Sequence, residues 1–505
     1  MHLDWVYDNI VSSTTLVLAI TTAIASVAYY ISKNRGLPPG PTGVPFLGYW
    51  PFIDHKKCHL QFEKLQKKYG DVFSFTCTGK LYIHLGTGKA VREAHIGKSD
   101  SFGKRTEDFN LMLDIFGGGV IFQNNEEWKT NRKFFVGALK ERSHAVLQES
   151  LSGTSLYASI KSTMDELRDK KSDELVNIVD VVSSKCTTAI RHALFGDSGE
   201  VTDEDVQEFN EYFNTVMACM SAPNFLPTGK MARYLIFPFV PGYKASKASL
   251  KKARSMFYKI IDRHRRTFDT ENPRDIIDDY LKEENNRRCK GDPSAKYFTD
   301  DALVSTLLQL IGDGSVSVAL FIAFVINAVL MHPEEQDKVY RELVEVVGHD
   351  RQPTIEDKSR LTYTNAFIQE VTRTSSSFFP FMPSQECTKE TTLRGYRIPK
   401  GAVTVMNFYT AHTDPETHEN PDTFDPSRFV SKEEKQREDL PISFGIGKRA
   451  CIGEAFAQLH IFLFVATIFQ NFHLSVPEGA KSSTVDEFLT TGKLEILLQP
   501  RIHTE

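Results

Sequence analysis

Several things this chain lacks narrow what it can be. Its seven cysteines (Cys58, Cys77, Cys186, Cys219, Cys289, Cys387 and Cys451) are odd in number and scattered. No two lie close enough for a zinc knuckle, and a disulfide framework is excluded, so the globular part belongs in a reducing compartment. Neither charge sign dominates: 60 Lys and Arg stand against 65 Asp and Glu, a formal net charge of -5. Binding to nucleic acid through bulk charge is therefore excluded. Nothing in the 505 residues has the composition of an interdomain linker, and residues 36–505 read as one domain. The segment ahead of the first apolar run holds Asp4 and Asp8 but no Lys or Arg, whereas a cleaved signal peptide starts basic.

That apolar run, residues 11–31, is uncharged and long enough to cross a hydrocarbon core of about 30 Å. Its Ser and Thr can bond back to their own helix carbonyls. Ala23-Ile24-Ala25 passes for a cleavage site, but Lys33 and Arg35 follow the run, as they do after a retained anchor. Residues 1–35 thus read as a single N-terminal transmembrane helix, with the body on the cytosolic side by the positive-inside rule. The prolines of residues 37–45 (LPPGPTGVP) stop the helix and hand over to a stiff extended segment.

The most distinctive stretch is Phe444-Gly445-Ile446-Gly447-Lys448-Arg449-Ala450-Cys451-Ile452-Gly453, followed by an apolar helix starting near Glu454. The glycines let the main chain turn tightly and offer N–H groups to the sulfur. A helix start behind the cysteine favours thiolate over thiol, which suits a soft metal ligand. The string Phe-x-x-Gly-x-Arg-x-Cys-x-Gly resembles the haem-binding loop of the cytochrome P450 family, and the proline string resembles the hinge of its microsomal members.

That resemblance extends along nearly the whole chain. It implies a mainly α fold with small β-sheets, a helical prism around one long central helix. Cys451 is then the iron ligand of haem b. Trp128 and Arg132, at i and i+4 on one helix, join Arg449 in holding the propionates, and Phe444 lies in the cofactor loop. Gln385 falls where the family commonly has His or Arg reaching a propionate, and brings a donor without a charge. Glu370 and Arg373, spaced i and i+3, match a second landmark, with Arg428 as third partner in a network that serves folding.

The longest periodic stretch starts at Thr299-Asp300-Asp301 and ends at His332-Pro333. It is apolar nearly all round and belongs in the middle of the fold. Gly312 and Gly314 interrupt it, either for close packing or for the approach of a flat ligand with a local widening of the helix. In the family this helix carries Gly/Ala-Gly-x-acid-Thr. Here Gly312-Asp313-Gly314-Ser315-Val316-Ser317 has Val316 for the acid and Ser317 for the threonine. An acid beside an alcohol organises proton delivery for splitting dioxygen. Ser317 keeps the hydroxyl, and Asp313 is expected to supply an acid only from another helix face.

Three functions follow from the resemblance. The first is a monooxygenase of the endoplasmic reticulum membrane, drawing electrons from a flavin-containing NADPH reductase docked on a basic cluster (Lys129, Lys133, Lys140, Arg142). A solvated face is the plain reading of that cluster. The second is a dehydratase, lyase or isomerase acting on an N–O or O–O bond, which Val316 favours. The third is a haem sensor or lipid carrier. The substrate cavity is expected to use Phe116, Val120, Phe122, Asp313, Ser317, Phe379, Phe381, Thr490 and Thr491, a set suited to a small apolar or aromatic molecule. Residues 235–241 are either core or a dip into the membrane surface.

Overall fold

Asp300 to Met331 forms one rod through the middle of the protein. Its start is fixed at Thr299, whose hydroxyl accepts the Ala302 N–H at 3.1 Å, with Asp300 and Asp301 in the first turn. It stops at His332, the residue before Pro333. Its length is about 48 Å at 1.5 Å per residue. Among the described residues it is the one helix long and apolar enough to cross a membrane, yet 61 % of its most apolar window is buried by protein. It is a core helix.

The computed structural model describes residues 17–18, 20–22, 34–147, 156–171, 173–196, 199–217, 224, 226–377, 384–430, 439–477 and 492–501, without the side chains of 143–146. In chain order, the helices that frame the site are α1 (Asn125–Leu147), α2 (Ile178–Phe195), α3 (Asp203–Met217), α4 (Tyr243–Thr267), α5 (Ile276–Cys289), α6 (Asp300–Gly312), α7 (Val318–Met331), α8 (Thr362–Thr374) and α9 (Glu454–Asn471). The rod comprises α6 and α7, joined by one wide π-turn, Asp313–Ser317. This is the local widening expected at the glycines. Both glycines are also tightly packed: a side chain at Gly312 would overlap the Phe213 ring, and one at Gly314 would lie 2.6 Å from Ile190 Cδ1.

Among the described residues, three small sheets flank the helices. The five-stranded sheet is ordered β1 (Val72–Cys77), β2 (Lys80–Leu85), β8 (Val403–Met406), β5 (Gln385–Glu386) and β3 (Lys104–Arg105). The expected strand pair is its antiparallel edge, Val72 opposite Leu85. A hairpin joins β6 (Thr391–Leu393) to β7 (Tyr396–Ile398), and β4 (Val176–Asn177) pairs with β10 (Glu495–Pro500) and β9 (Phe472–Ser475).

The Glu370–Arg373 pair is buried, not a surface ion pair. Arg373 donates from Nε and one terminal nitrogen to the two Glu370 oxygens at 2.8 and 2.7 Å, and its other donors reach the His412, Pro421 and Thr423 carbonyls. Arg428 donates to Glu370 at 3.3 Å, and the Asp425 N–H adds a bond at 2.9 Å. Every formal charge here has a directional partner, the condition under which a buried ion cluster is tolerated.

Residues 235–241 divide between the two readings. Ile236 and Phe237 are buried, whereas Tyr234, Leu235 and Phe239 are 64 %, 66 % and 80 % exposed. Of the first apolar run, Val17, Leu18, Ile20, Thr21 and Thr22 are described. They are helical and exposed, and Thr21 and Thr22 bond back to the Val17 and Leu18 carbonyls at 2.7 Å. The rest of the run lies outside the described residues, as do Cys219, Phe379, Phe381, Thr490 and Thr491.

Candidate active site

The loop before α9 is shaped to present one sulfur. Gly447 has φ +74°, and a side chain there would overlap the His95 carbonyl oxygen. The Cys451 N–H donates to the Phe444 carbonyl at 2.8 Å, closing the loop on itself. From outside, Arg132 on α1 donates to the Ala450 carbonyl at 2.7 Å. Gly453 caps α9, and its N–H hydrogen-bonds to the Cys451 sulfur. That bond lowers the thiol pKa as expected, but burial outweighs it and pushes the thiol up to about 11. Thiolate therefore becomes the favoured form only when a metal compensates for the burial.

Cys451 opens onto a cavity of about 370 Å³. Phe444 and Arg449 from the same loop, Trp128 and Arg132 from α1, and Asp313, Gly314 and Ser317 from the π-turn share its wall. So do Phe116, Val120 and Phe122. Residues far apart in sequence are thus brought to one space.

One end of this wall is cationic. Arg105, Arg132 and Arg449 meet there, and burial followed by the other two guanidiniums pulls Arg449 down to about 9. Burial and then Arg132 pull Arg105 down to about 10. Arg449 is fastened to the Gly103 and Gln123 carbonyls at 2.9 Å and to Asn124 Oδ1 at 3.0 Å, and its guanidinium lies over the Trp128 ring. Trp128 Nε1 is buried on this wall with no acceptor among the described residues. An orphaned donor among mutually repelling guanidiniums fits an anionic group such as a porphyrin carboxylate.

Arg105 was not foreseen from the sequence. It reaches the wall because β3 pairs with β5, placing it opposite Gln385. Gln385 itself is buried beside Arg105, its Nε2 without an acceptor among the described residues, and is not on the cavity wall. The lysine face is also revised. Arg142 is turned into an ion pair with Asp279 on α5, which leaves Lys129, Lys133 and Lys140 exposed on α1.

Asp313 and Ser317 both open on the cavity, against the expectation of different helix faces, because residues four apart share one face of a helix. Val316 instead packs against the apolar core. Burial alone pushes the Asp313 carboxyl up to about 6. Gln309, four residues before Asp313, shares this wall and holds the loop across it: its Oε1 accepts the Ile121 N–H at 3.2 Å and its Nε2 donates to the Gly118 carbonyl at 3.4 Å.

Known proteins resemble this chain along most of its length. The family model described as Cytochrome P450 matches residues 38–500. Cytochrome P450 2J2 of Homo sapiens is 29 % identical over 487 residues, covering 94 % of this chain and 93 % of that protein. Cytochrome P450 18a1 of Drosophila melanogaster is 29 % identical over 477 residues, 92 % of this chain and 86 % of that one. Cytochrome P450 1A1 of Rattus norvegicus is 28 % identical over 497 residues, 93 % of this chain and 92 % of that one.

Proposed function

The chain belongs to the cytochrome P450 family, and from that premise we propose that it is a membrane-anchored haem-thiolate monooxygenase of small apolar molecules. One observation carries the reading: the Cys451 thiol, the three-arginine end and the Asp313–Ser317 pair share a single, mainly apolar cavity.

Cys451 is the metal ligand in this reading, and haem b is the cofactor. Trp128 Nε1, Arg132 and Arg449 hold its carboxylates, with Arg105 added to the set and Gln385 behind it. Phe444 and Gly314 border the cofactor space. When bound, haem with a thiolate ligand supplies the reductive activation of dioxygen. The apolar wall excludes water, which strengthens each remaining polar contact. Ser317 Oγ donates a proton into the cavity, and Asp313, on the same wall and within reach of neutral pH, reloads it. Val316 packs against the core, so its lack of an acid does not by itself favour the lyase reading.

Electrons come from a flavin-containing NADPH reductase. Lys129, Lys133 and Lys140 lie on the exposed side of the helix whose inner side contacts the Cys451 loop through Arg132, which supports docking there. Exposed Tyr234, Leu235 and Phe239 add an apolar knuckle suited to a bilayer surface, consistent with an anchor at 1–35 in the endoplasmic reticulum and a cytosolic body at 36–505.

The reading is tested by reconstitution with haem, reductase and NADPH. A ferrous–carbonyl Soret band at the thiolate position, lost in Cys451→Ser, supports it, as does product formation that requires NADPH. Turnover without NADPH or reductase would overturn the monooxygenase assignment.

A further inference from the structure

Three consecutive residues of the wide turn face three different places. Val316 packs against the core, and Ser317 opens on the cavity. Ser315 is buried and turned to α3. Its single hydroxyl proton is shared between the Ile311 carbonyl at 2.7 Å and Asn210 Oδ1 on α3 at 2.8 Å. Asn210 is held in turn, donating from Nδ2 to Thr187 Oγ1 on α2 at 2.8 Å. A polar chain thus crosses from α2 through α3 and ends two residues before Ser317.

The apolar packing follows the same two helices. Phe213, three residues after Asn210 on α3, lies against Gly312. Ile190, three residues after Thr187 on α2, lies against Gly314. Residues three apart share a helix face, so each helix grips the turn with one polar and one apolar side chain. Phe213 and Ile190 also line the cavity, whereas Asn210 and Thr187 do not. A molecule in the cavity therefore meets α2 and α3 at the side chains with which they press on the turn. A single wide turn departs from the regular ladder of helical hydrogen bonds, and its shape depends on such neighbours.

We propose that Asn210 is a positioning residue for Ser317. Phe213 and Ile190 register how the cavity is filled, and the Thr187–Asn210–Ser315 chain passes this to the turn that aims the Ser317 hydroxyl. Proton delivery is then tied to occupancy of the cavity by an apolar molecule. This rests on the monooxygenase reading, in which Ser317 donates the proton.

The test uses haem-loaded enzyme and butylbenzene as a small apolar probe, its binding measured by calorimetry. In wild type, bound butylbenzene is expected to slow hydrogen exchange at amides 315–318 by roughly fivefold, the scale of one hydrogen bond. Asn210→Leu keeps the bulk of the side chain, and Ser315→Ala removes the hydroxyl. Each is expected to bind the probe and lose the slowing, and the double variant to add nothing further, because both remove the same link. Ser315→Thr keeps a hydroxyl and is expected to retain the slowing. With reductase and NADPH, the peroxide released per NADPH consumed is expected to rise in Asn210→Leu and Ser315→Ala. A merely structural bond would shift the urea midpoint and leave that yield unmoved. A slowing that survives in Asn210→Leu, or a peroxide yield there equal to wild type, would overturn the proposal. Failure of butylbenzene to bind wild type would overturn the apolar-cavity reading beneath it, and the ferrous–carbonyl band of the same samples reports separately on Cys451.

Discussion

The Arg449 guanidinium lies over the Trp128 ring with its carbon 3.8 Å from the ring centroid, while Trp128 Nε1 has no acceptor among the described residues. The ring face is used by the protein, and the ring edge is left for a ligand. Trp128→Phe keeps an aromatic face under Arg449 and removes the donor together with the pyrrole ring. Loss of one hydrogen bond to a charged group is worth about 1.5 kcal/mol, so haem transfer to an acceptor globin should run roughly tenfold faster. The thermal unfolding midpoint of the haem-free protein should fall slightly, from the lost packing of the smaller ring, and this fall is measured separately from the transfer rate. A transfer rate equal to wild type would remove Trp128 from the cofactor site.

Val316→Glu, which restores the family's acid by alignment, places a carboxylate against core side chains instead of in the cavity. It should lower stability by about 2 kcal/mol or more and leave the ratio of product to NADPH consumed no better than wild type. Ser317→Ala should lower that ratio. An improved ratio in Val316→Glu would show that the acid reaches the cavity after all.

Glu370→Ala leaves Arg373 and Arg428 facing a buried gap in place of their shared carboxylate. The cost should be about 3–5 kcal/mol, read as a fall in the urea midpoint, with poor haem incorporation following from it. A loss below about 1 kcal/mol would mean that the network behaves like a surface pair.

A pH dependence of stability should arise far from the cavity. His264, buried on α4, bonds the Ile260 carbonyl through Nδ1 at 2.9 Å and Asp275 through Nε2 at 2.7 Å. The other Asp275 oxygen caps α5 by accepting the Ile277 and Asp278 N–H groups. Burial opposes charge on the imidazole, but the hydrogen bond and charge of Asp275 outweigh it and the histidine is raised. The folded state therefore holds this proton more tightly than the unfolded chain. Its stabilisation is complete below the ordinary histidine value of about 6.5 and fades as pH rises through the folded value. Urea midpoints should fall across that window in wild type, and this fall should be absent in His264→Gln.

Much of this architecture was legible in the chain. Thr299, Pro333 and the apolar run between them define the rod, and the glycines around Cys451 define its loop, because caps, breakers and tight turns are local chemistry. The Glu370–Arg373 pairing follows from spacing, although burial, which gives it weight, comes from the fold. Arg105 was hidden because a two-residue strand recruits it through a partner 280 residues away. Gln309 was within reach: Gln309, Asp313 and Ser317 recur every four residues on an otherwise apolar helix, a polar stripe that marks a cavity wall.

The π-turn has an angular consequence. Each α-helical residue rotates the chain by about 100°, so residues three apart are separated by about 60° around the axis and residues four apart by about 40°. A wider turn rotates less per residue. Val316 is thereby carried farther from the direction of Asp313, while Ser317, one step later, returns close to it. Azimuth, rather than position in an aligned motif, thus decides which side chains meet the ligand. Deleting one residue between Gly312 and Val318 would let the wide turn close to an ordinary α-helix, so α7 would keep nearly its present azimuth and Phe321 and Phe324 would stay on the cavity wall.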